Sequence, residues 1–97
     1  MTAQTVTDNP TLSQFERVED GHMALASYRR HANALIIHHV EADPALRGKG
    51  TAARLMEGIV QIARAQSLTI TPSCTYAKDW FQKHPEAGDV LGQAQNE

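Results

Sequence analysis

Apolar residues recur at short range as far as Val40 and at helical spacing from about residue 49. Residues 14–18 are strand-like, and residues 23–28 alternate loosely, Met23, Leu25 and Ser27 against Ala24, Ala26 and Tyr28. Both predict strands, and Glu19-Asp20-Gly21-His22 between them supplies Asp-Gly, a strong hairpin signal. Residues 34–40, where Leu35-Ile36-Ile37 run into His38-His39-Val40, are the most apolar stretch and predict the central strand. The connections are short, so an antiparallel meander is the economical arrangement. Pro44 ends the third strand. From 49 to 66, Ala52, Leu55, Met56, Ile59, Val60, Ile62 and Ala63 form one broad apolar face, with Arg54, Glu57, Gln61 and Arg64 opposite, so a long helix is expected. Gly58 within it costs about 1 kcal/mol relative to Ala, which suggests a close packing contact, and Ser67 is where the helix should stop.

Residues 68–71 are short and β-branched and are closed by Pro72, a further strand. A strand, a long helix and another strand imply a crossover, with the last strand parallel to the third. Residues 75–84 predict a second helix with Ala77, Trp80 and Phe81 for packing, ended by Pro85. The order is β-β-β-α-β-α: an α/β (α+β) fold with an open, mixed but mostly antiparallel sheet of about four strands, flanked by two helices. Residues 1–12 are Thr-rich and aperiodic, with Asn9-Pro10 as a breaker, a loose end that could add a little edge pairing, and the chain beyond Pro85 has the same frayed character. The expectation is one domain over 13–91 with flexible ends at 1–12 and 92–97.

Composition changes this picture little. A chain of 97 residues fits a single domain with a modest core, and an apolar fraction of 41% is ordinary. Aromatics are scarce, so the core rests on Leu, Ile, Val, Met and Ala. A formal charge of −2 with no basic stripe argues against nucleic acid as a partner. A single cysteine, Cys74, forbids an internal disulfide and suits a reducing compartment. No apolar run reaches the length of a membrane span, and the first residues lack the features of a signal peptide. The expectation is a soluble cytoplasmic chain that does not engage membranes.

The chemistry is concentrated at the junction of the third strand and the long helix: Val40-Glu41-Ala42-Asp43-Pro44-Ala45-Leu46-Arg47-Gly48-Lys49-Gly50-Thr51-Ala52. Two glycines there permit positive φ and close approach of backbone to a ligand. The first amides of a helix lack internal acceptors, and with the helix dipole they attract an anion. Arg47 and Lys49 add charge at the rim. Phosphate binding at the helix start follows, although Gly-x-Gly before a helix is often only a tight turn. The nucleotide P-loop ending and the third glycine of the dinucleotide fingerprint are both missing.

Arg47-x-x-Gly50-x-Ala52 resembles the Gln/Arg-x-x-Gly-x-Gly/Ala motif of the GCN5-related N-acetyltransferases. The chain is closer still to a short branch of that family, the YjdJ-type or GCN5-like small acetyltransferases. His39-Val40-Glu41-Ala42-Asp43-Pro44-Ala45-Leu46-Arg47-Gly48-Lys49-Gly50, Pro72-Ser73-Cys74-Thr75-Tyr76 and His84-Pro85-Glu86 follow that branch's three motifs in order and spacing. Val40 for Thr, Ala42 for Val, Thr75 for Pro and Ser67 for a capping Gly depart from it. None of these removes a phosphate-binding amide.

The resemblance implies that acetyl-CoA is the ligand. Its pyrophosphate would lie on Leu46, Arg47, Gly48, Lys49, Gly50, Thr51 and Ala52, with Tyr76 nearby. Its pantetheine would lie along the main chain of Val40 and Ala42, where the third strand and the strand after the long helix splay apart. An amine would attack the thioester directly, helped by a base, with an acid for the leaving thiolate. His39 and Glu41 share one face of a strand, and imidazole readily moves protons near neutrality. A strand histidine is nonetheless often structural. His38 is expected on the opposite face, and adjacent strand positions cannot chelate one metal, which sets metal aside. Cys74, at the mouth of the gap, is an inert buried thiol, a nucleophile that accepts acetyl, or the acid for the thiolate. Phe81 occupies the place where many larger relatives carry a Tyr acid.

The leading expectation is an acyl-CoA-dependent N-acetyltransferase acting on an unidentified amine, with a protein or peptide amine as one candidate. The alternative is a CoA-binding module with little turnover. The oligomeric state is not legible.

Overall fold

The computed structural model describes residues 6–92. Of the expected loose termini at 1–12 and 92–97, residues 1–5 and 93–97 lie outside the described residues. The element order is β1 (Thr7–Asn9), β2 (Gln14–Glu19), β3 (His22–His31), β4 (Ala34–Ala42), α1 (Thr51–Gln66), β5 (Thr69–Pro72) and α2 (Thr75–Lys83). The strands form a single sheet in the order β1-β2-β3-β4-β5. Neighbours are antiparallel except β4 and β5, which run parallel across the α1 crossover.

The sheet has five strands where the sequence suggested about four. The added strand is β1, inside the aperiodic first twelve residues, which pairs with Gln14–Glu16 of β2. Asn9-Pro10 acts as the turn of this hairpin: Ser13 donates to the Pro10 carbonyl, and the Leu12 amide to the Asn9 side chain. A three-residue strand is too short to show a period, which is why alternation misses it. At the β2–β3 turn, Asp20 (φ 53°) and Gly21 (φ 77°) are both left-handed. This is the backbone of a type I′ turn, and its twist suits the flanking strands.

Helix α1 lays Leu55, Met56, Ile59, Val60 and Ala63 against Phe15, Ala24, Ala26, Leu35, Ile37 and Ile70, all buried. Truncating one of the large members to Ala would cost about 2–5 kcal/mol. The helix stops at Ser67, as expected. Ser67 takes the left-handed conformation (φ 58°), its amide turns back to Ala63 and Arg64, and the Leu68 amide also reaches the Ala63 carbonyl at 2.8 Å.

One correction concerns the chain after Pro85. Residues Pro85–Val90 form a 3-10 helix with Ala87 and Val90 buried. Arg64 grips Asp89 through Nε and Nη2, each at 2.8 Å. Leu91 then bridges Ile70 in parallel, and the Gly92 amide donates to the Ile70 carbonyl at 2.7 Å, covering the outer edge of β5.

Strand β4 carries the irregularity that shapes the site. Tyr28 stands opposite Ile37 and Ser27 opposite His39, so His38 has no partner of its own on β3. This bulge shifts the alternation by one residue. Val40 and Ala42 therefore face Ala26 and Ala24 on the buried side, while His39 and Glu41 pair with Ser27 and Leu25 on the other. His38 is an exposed bulge residue rather than one member of a simple alternating pair.

Candidate functional site

The loop from β4 to α1 is built by short-range hydrogen bonds. Asp43 caps the 3-10 turn Pro44–Leu46, its Oδ1 accepting the Ala45 amide at 2.9 Å. This contact, chiefly, holds the Asp43 carboxyl below its ordinary value. Arg47 and Lys49 amides donate to the carbonyls of Pro44 and Leu46. Gly48 (φ 78°) and Gly50 (φ 79°) are left-handed, a conformation that favours glycine, and Gly50 opens α1 without a side-chain cap. Its carbonyl accepts the Arg54 amide at 3.0 Å. Among the described residues, the amides of Gly48, Gly50, Thr51 and Ala52 meet no protein acceptor. They stand at the positive end of a 16-residue helix with no acidic residue in its first turn.

These residues open onto a pocket of about 260 Å³ lined by Ala42, Leu46, Arg47, Gly48, Gly50, Thr51, Ala52, Ala53 and Tyr76. Eight of these were candidates from sequence; Ala53 is the addition. Tyr76, in the first turn of α2, forms the wall facing the loop, and burial is the main cause that raises its phenol above the ordinary value. Thr51 is almost wholly buried, and its hydroxyl turns inward to donate to Glu19 Oε1 at 2.7 Å. Lys49 does not border the pocket, and its ammonium lies 3.8 Å from Asp20.

Beside the pocket the sheet is split. β5 pairs with β4 only through Ala34–Ile37. Ser73 and Cys74 amides then both turn to the Ile37 carbonyl, at 2.8 and 3.2 Å, and the chain leaves the sheet. Among the described residues, no strand lies beside the β5-side edge of β4 from His38 to Ala42. An extended ligand can lie along such an edge as an added strand.

The tip of the β2–β3 hairpin lies under the loop, and sequence reasoning missed it. Glu19 accepts from Arg54 Nε and Nη2 at 2.7 Å each, from Thr51, and from Arg17 Nε at 2.6 Å. The Arg54 hydrogen bonds, followed by those of Arg17 and Thr51, hold the Glu19 carboxyl far below the usual carboxylate range against the opposing effect of burial. His22 Nδ1 lies 3.3 Å from Asp43 Oδ2. Glu19 precedes Asp20-Gly21 and Arg54 is the fourth residue after Gly50, but nothing local in the sequence couples positions 35 apart.

The remaining candidates stand away from the pocket. His39 Nε2 lies 2.7 Å from Glu41 Oε1, both more than half exposed on the face opposite the α1-packed core. Val40 is half-buried against that core. Cys74 is half-buried at the N-cap of α2, where its Sγ accepts the Ala77 amide at 3.4 Å. Phe81 is buried, edge-on to Trp80. No helix among the described residues is long and apolar enough to cross a membrane.

Comparison with known proteins places these features in a family. No curated protein matches the chain. The solution structure of a GCN5-like N-acetyltransferase candidate from Staphylococcus aureus superposes with a TM-score of 0.68 at 25% identity, covering 100% of this chain and 99% of that one. The family model described as GCN5-related N-acetyl-transferase matches residues 14–90, from the start of β2 to the end of the 3-10 helix. With the split sheet and the glycine loop inside that span, the chain belongs to the GCN5-related N-acetyltransferase family.

Proposed function

We propose that this protein transfers acetyl from acetyl-CoA to an amine. The observation that carries the reading is the adjacency of two unsatisfied backbone surfaces: the amides of Gly48, Gly50, Thr51 and Ala52, and the free edge of β4 from His38 to Ala42. The first suits a diphosphate, because orphan amides at a helix start supply donors and positive potential together. The second suits pantetheine, whose amides can pair with main chain. Arg47, exposed at the pocket wall, adds charge for the phosphates, and Lys49 can do so once it leaves Asp20. Tyr76 closes the far side with an apolar ring.

Acetyl-CoA supplies the activated acyl group, a thioester open to attack by a neutral amine. His39 is the group we assign to take the amine's proton, with Glu41 orienting the imidazole through the 2.7 Å contact. Cys74 is the candidate acid for the leaving thiolate, held at the α2 N-terminus by the Ala77 amide. The open surroundings of His39 and Glu41 suit an amine on a protein or peptide better than a small molecule. That same openness, with His39 and Glu41 more than half exposed, favours a second reading, a CoA-binding module with little turnover.

Calorimetric titration with acetyl-CoA and with free CoA tests the shared part of both readings. Saturable binding supports the site. Absence of heat and of thermal stabilisation at millimolar ligand removes both readings. Release of free CoA thiol in the presence of amine peptides then separates the enzyme from the binding module.

A further inference from the structure

We infer that Glu19 and Arg54 are positioning residues for the diphosphate, a brace beneath the Lys49–Gly50 peptide that aims the Gly50 amide outward. The inference rests on reading the loop as the CoA diphosphate site. Arg54 Nη2 donates to the Lys49 carbonyl at 3.0 Å while Nε and Nη2 of the same guanidinium hold the two oxygens of Glu19. A peptide unit is planar and trans, so its carbonyl and the next amide point in opposite directions. Drawing the Lys49 carbonyl inward to Arg54 therefore turns the Gly50 N–H away from the protein. A Cβ at position 50 would sit 3.3 Å from Arg54 Nη1, so the guanidinium lies directly against this glycine.

The Glu19 carboxylate in turn is fixed from three sides, by Arg54, Arg17 and the buried Thr51 hydroxyl. Arg17 is itself buried. The brace thus runs from the sheet interior to one peptide plane of the loop. It also keeps the Glu19 charge engaged by guanidinium groups rather than free beneath the anion. A tie serving only to fasten α1 to β2 would need the Glu19–Arg54 contact alone. The bond to the Lys49 carbonyl is what links the pair to ligand geometry.

The test uses the full chain and three variants: Arg54→Ala, Arg54→Lys and Glu19→Gln. Lysine can reach Glu19 but lacks the planar fork that serves carboxylate and carbonyl together. CoA affinity is read by calorimetry, pantetheine binding by shifts of the β4 amides in NMR titration at millimolar ligand, and stability by ligand-free thermal melts. The expected result for Arg54→Lys is a melting temperature near wild type with CoA affinity reduced about tenfold or more, the scale of losing one charge-assisted bond. Arg54→Ala weakens CoA at least as much, and pantetheine, which has no diphosphate, binds each variant as it binds wild type. Unchanged CoA affinity in Arg54→Ala overturns the inference while leaving the CoA site intact. So does an equal loss for CoA and pantetheine, the signature of a general structural role. Wild-type protein that fails to bind CoA overturns the CoA site itself and the inference with it. Glu19→Gln, if folded, falls with Arg54→Ala; if it does not fold, the two Arg54 variants decide.

Discussion

His39 Nε2 lies 2.7 Å from Glu41 Oε1, and the bulge at His38 decides which side of the sheet this pair occupies. Without the bulge, strict alternation would place both residues on the face of Leu35 and Ile37, inside the core. The pair is exposed, so it adds little to stability. His39→Ala is therefore expected to melt within a degree or two of wild type and to bind CoA normally. Acetyl transfer should fall about 100-fold, the usual contribution of a general base. Glu41→Ala should lower kcat less and leave the KM for acetyl-CoA unchanged. Transfer rates unaffected by either change would remove the pair from catalysis.

Gly48 faces open space: among the described residues no atom lies within 4 Å of the Cβ that a side chain would add, although φ is 78°. Substitution there strains the backbone without a clash. Gly48→Asn, which tolerates left-handed φ, should retain CoA binding with a modest loss of stability. Gly48→Glu adds a negative charge where the diphosphate is expected, and should reduce CoA affinity below detection in the same calorimetric assay. Equal affinities for the two variants would place the diphosphate elsewhere.

Much of this site could be read from the sequence, and the reason is its locality. The glycines and the first amides of α1 act within a few residues of one another, so spacing alone exposes them; the Asp43 cap is visible only in the structure. The Asp20-Gly21 turn and the stop at Ser67 are legible for the same reason. The brace is not, because Glu19 and Arg54 meet only when the β2–β3 hairpin folds under the loop. The side on which His39 sits depends on a bulge, which alternation cannot reveal. Pro85–Val90 looked frayed because its anchors, Arg64 with Asp89 and Gly92 with Ile70, are likewise distant in sequence.

Glu19 carries a pH signature. Its folded-state value lies far below the ordinary 4.5, chiefly through Arg54. A depressed carboxylate contributes stability that is complete above its unfolded value and is lost as pH falls below it toward the folded value. Wild type should therefore be more stable than Glu19→Gln at pH 7, by about 2 kcal/mol, the scale of a hydrogen bond to a charged group. The gap should narrow as pH falls below about 4.5. Urea titrations at pH 7 and at pH 3 measure it, and a constant gap would mean that the carboxylate charge contributes nothing.

Tyr28 reports on the other end of the sheet. Its hydroxyl donates to Asp8 at 2.7 Å, tying β3 to the short strand β1, and burial together with Asp8 pushes its phenol up to about 12. A value raised above the unfolded 10.0 means stability present below pH 10 and lost as pH rises through about 12. Ultraviolet titration should show a phenolate transition near that pH, absent from Tyr28→Phe. The variant should lose about 2 kcal/mol, the scale of a hydrogen bond to a carboxylate, and exchange the amides of β1 faster. Ionisation of Tyr28 near 10 would show that neither burial nor Asp8 holds it.

Gly58, in the middle of α1, sets helix propensity against packing. Replacing a mid-helix glycine with alanine ordinarily stabilises by about 1 kcal/mol. Here the added Cβ would fall 2.7 Å from Val6 Cβ, and closer still to Cγ2, so the chain entering β1 would have to move. Overpacking of this kind costs about 1–3 kcal/mol, which outweighs the propensity gain. Gly58→Ala is expected to lower the melting temperature. Pairing it with Val6→Gly removes the obstructing side chain, so the alanine should then stabilise relative to Val6→Gly alone. That reversal of sign is the decisive reading. If Gly58→Ala is stabilising in both backgrounds, Val6 does not rest on α1, and the glycine is there for some reason other than the close approach of the first strand.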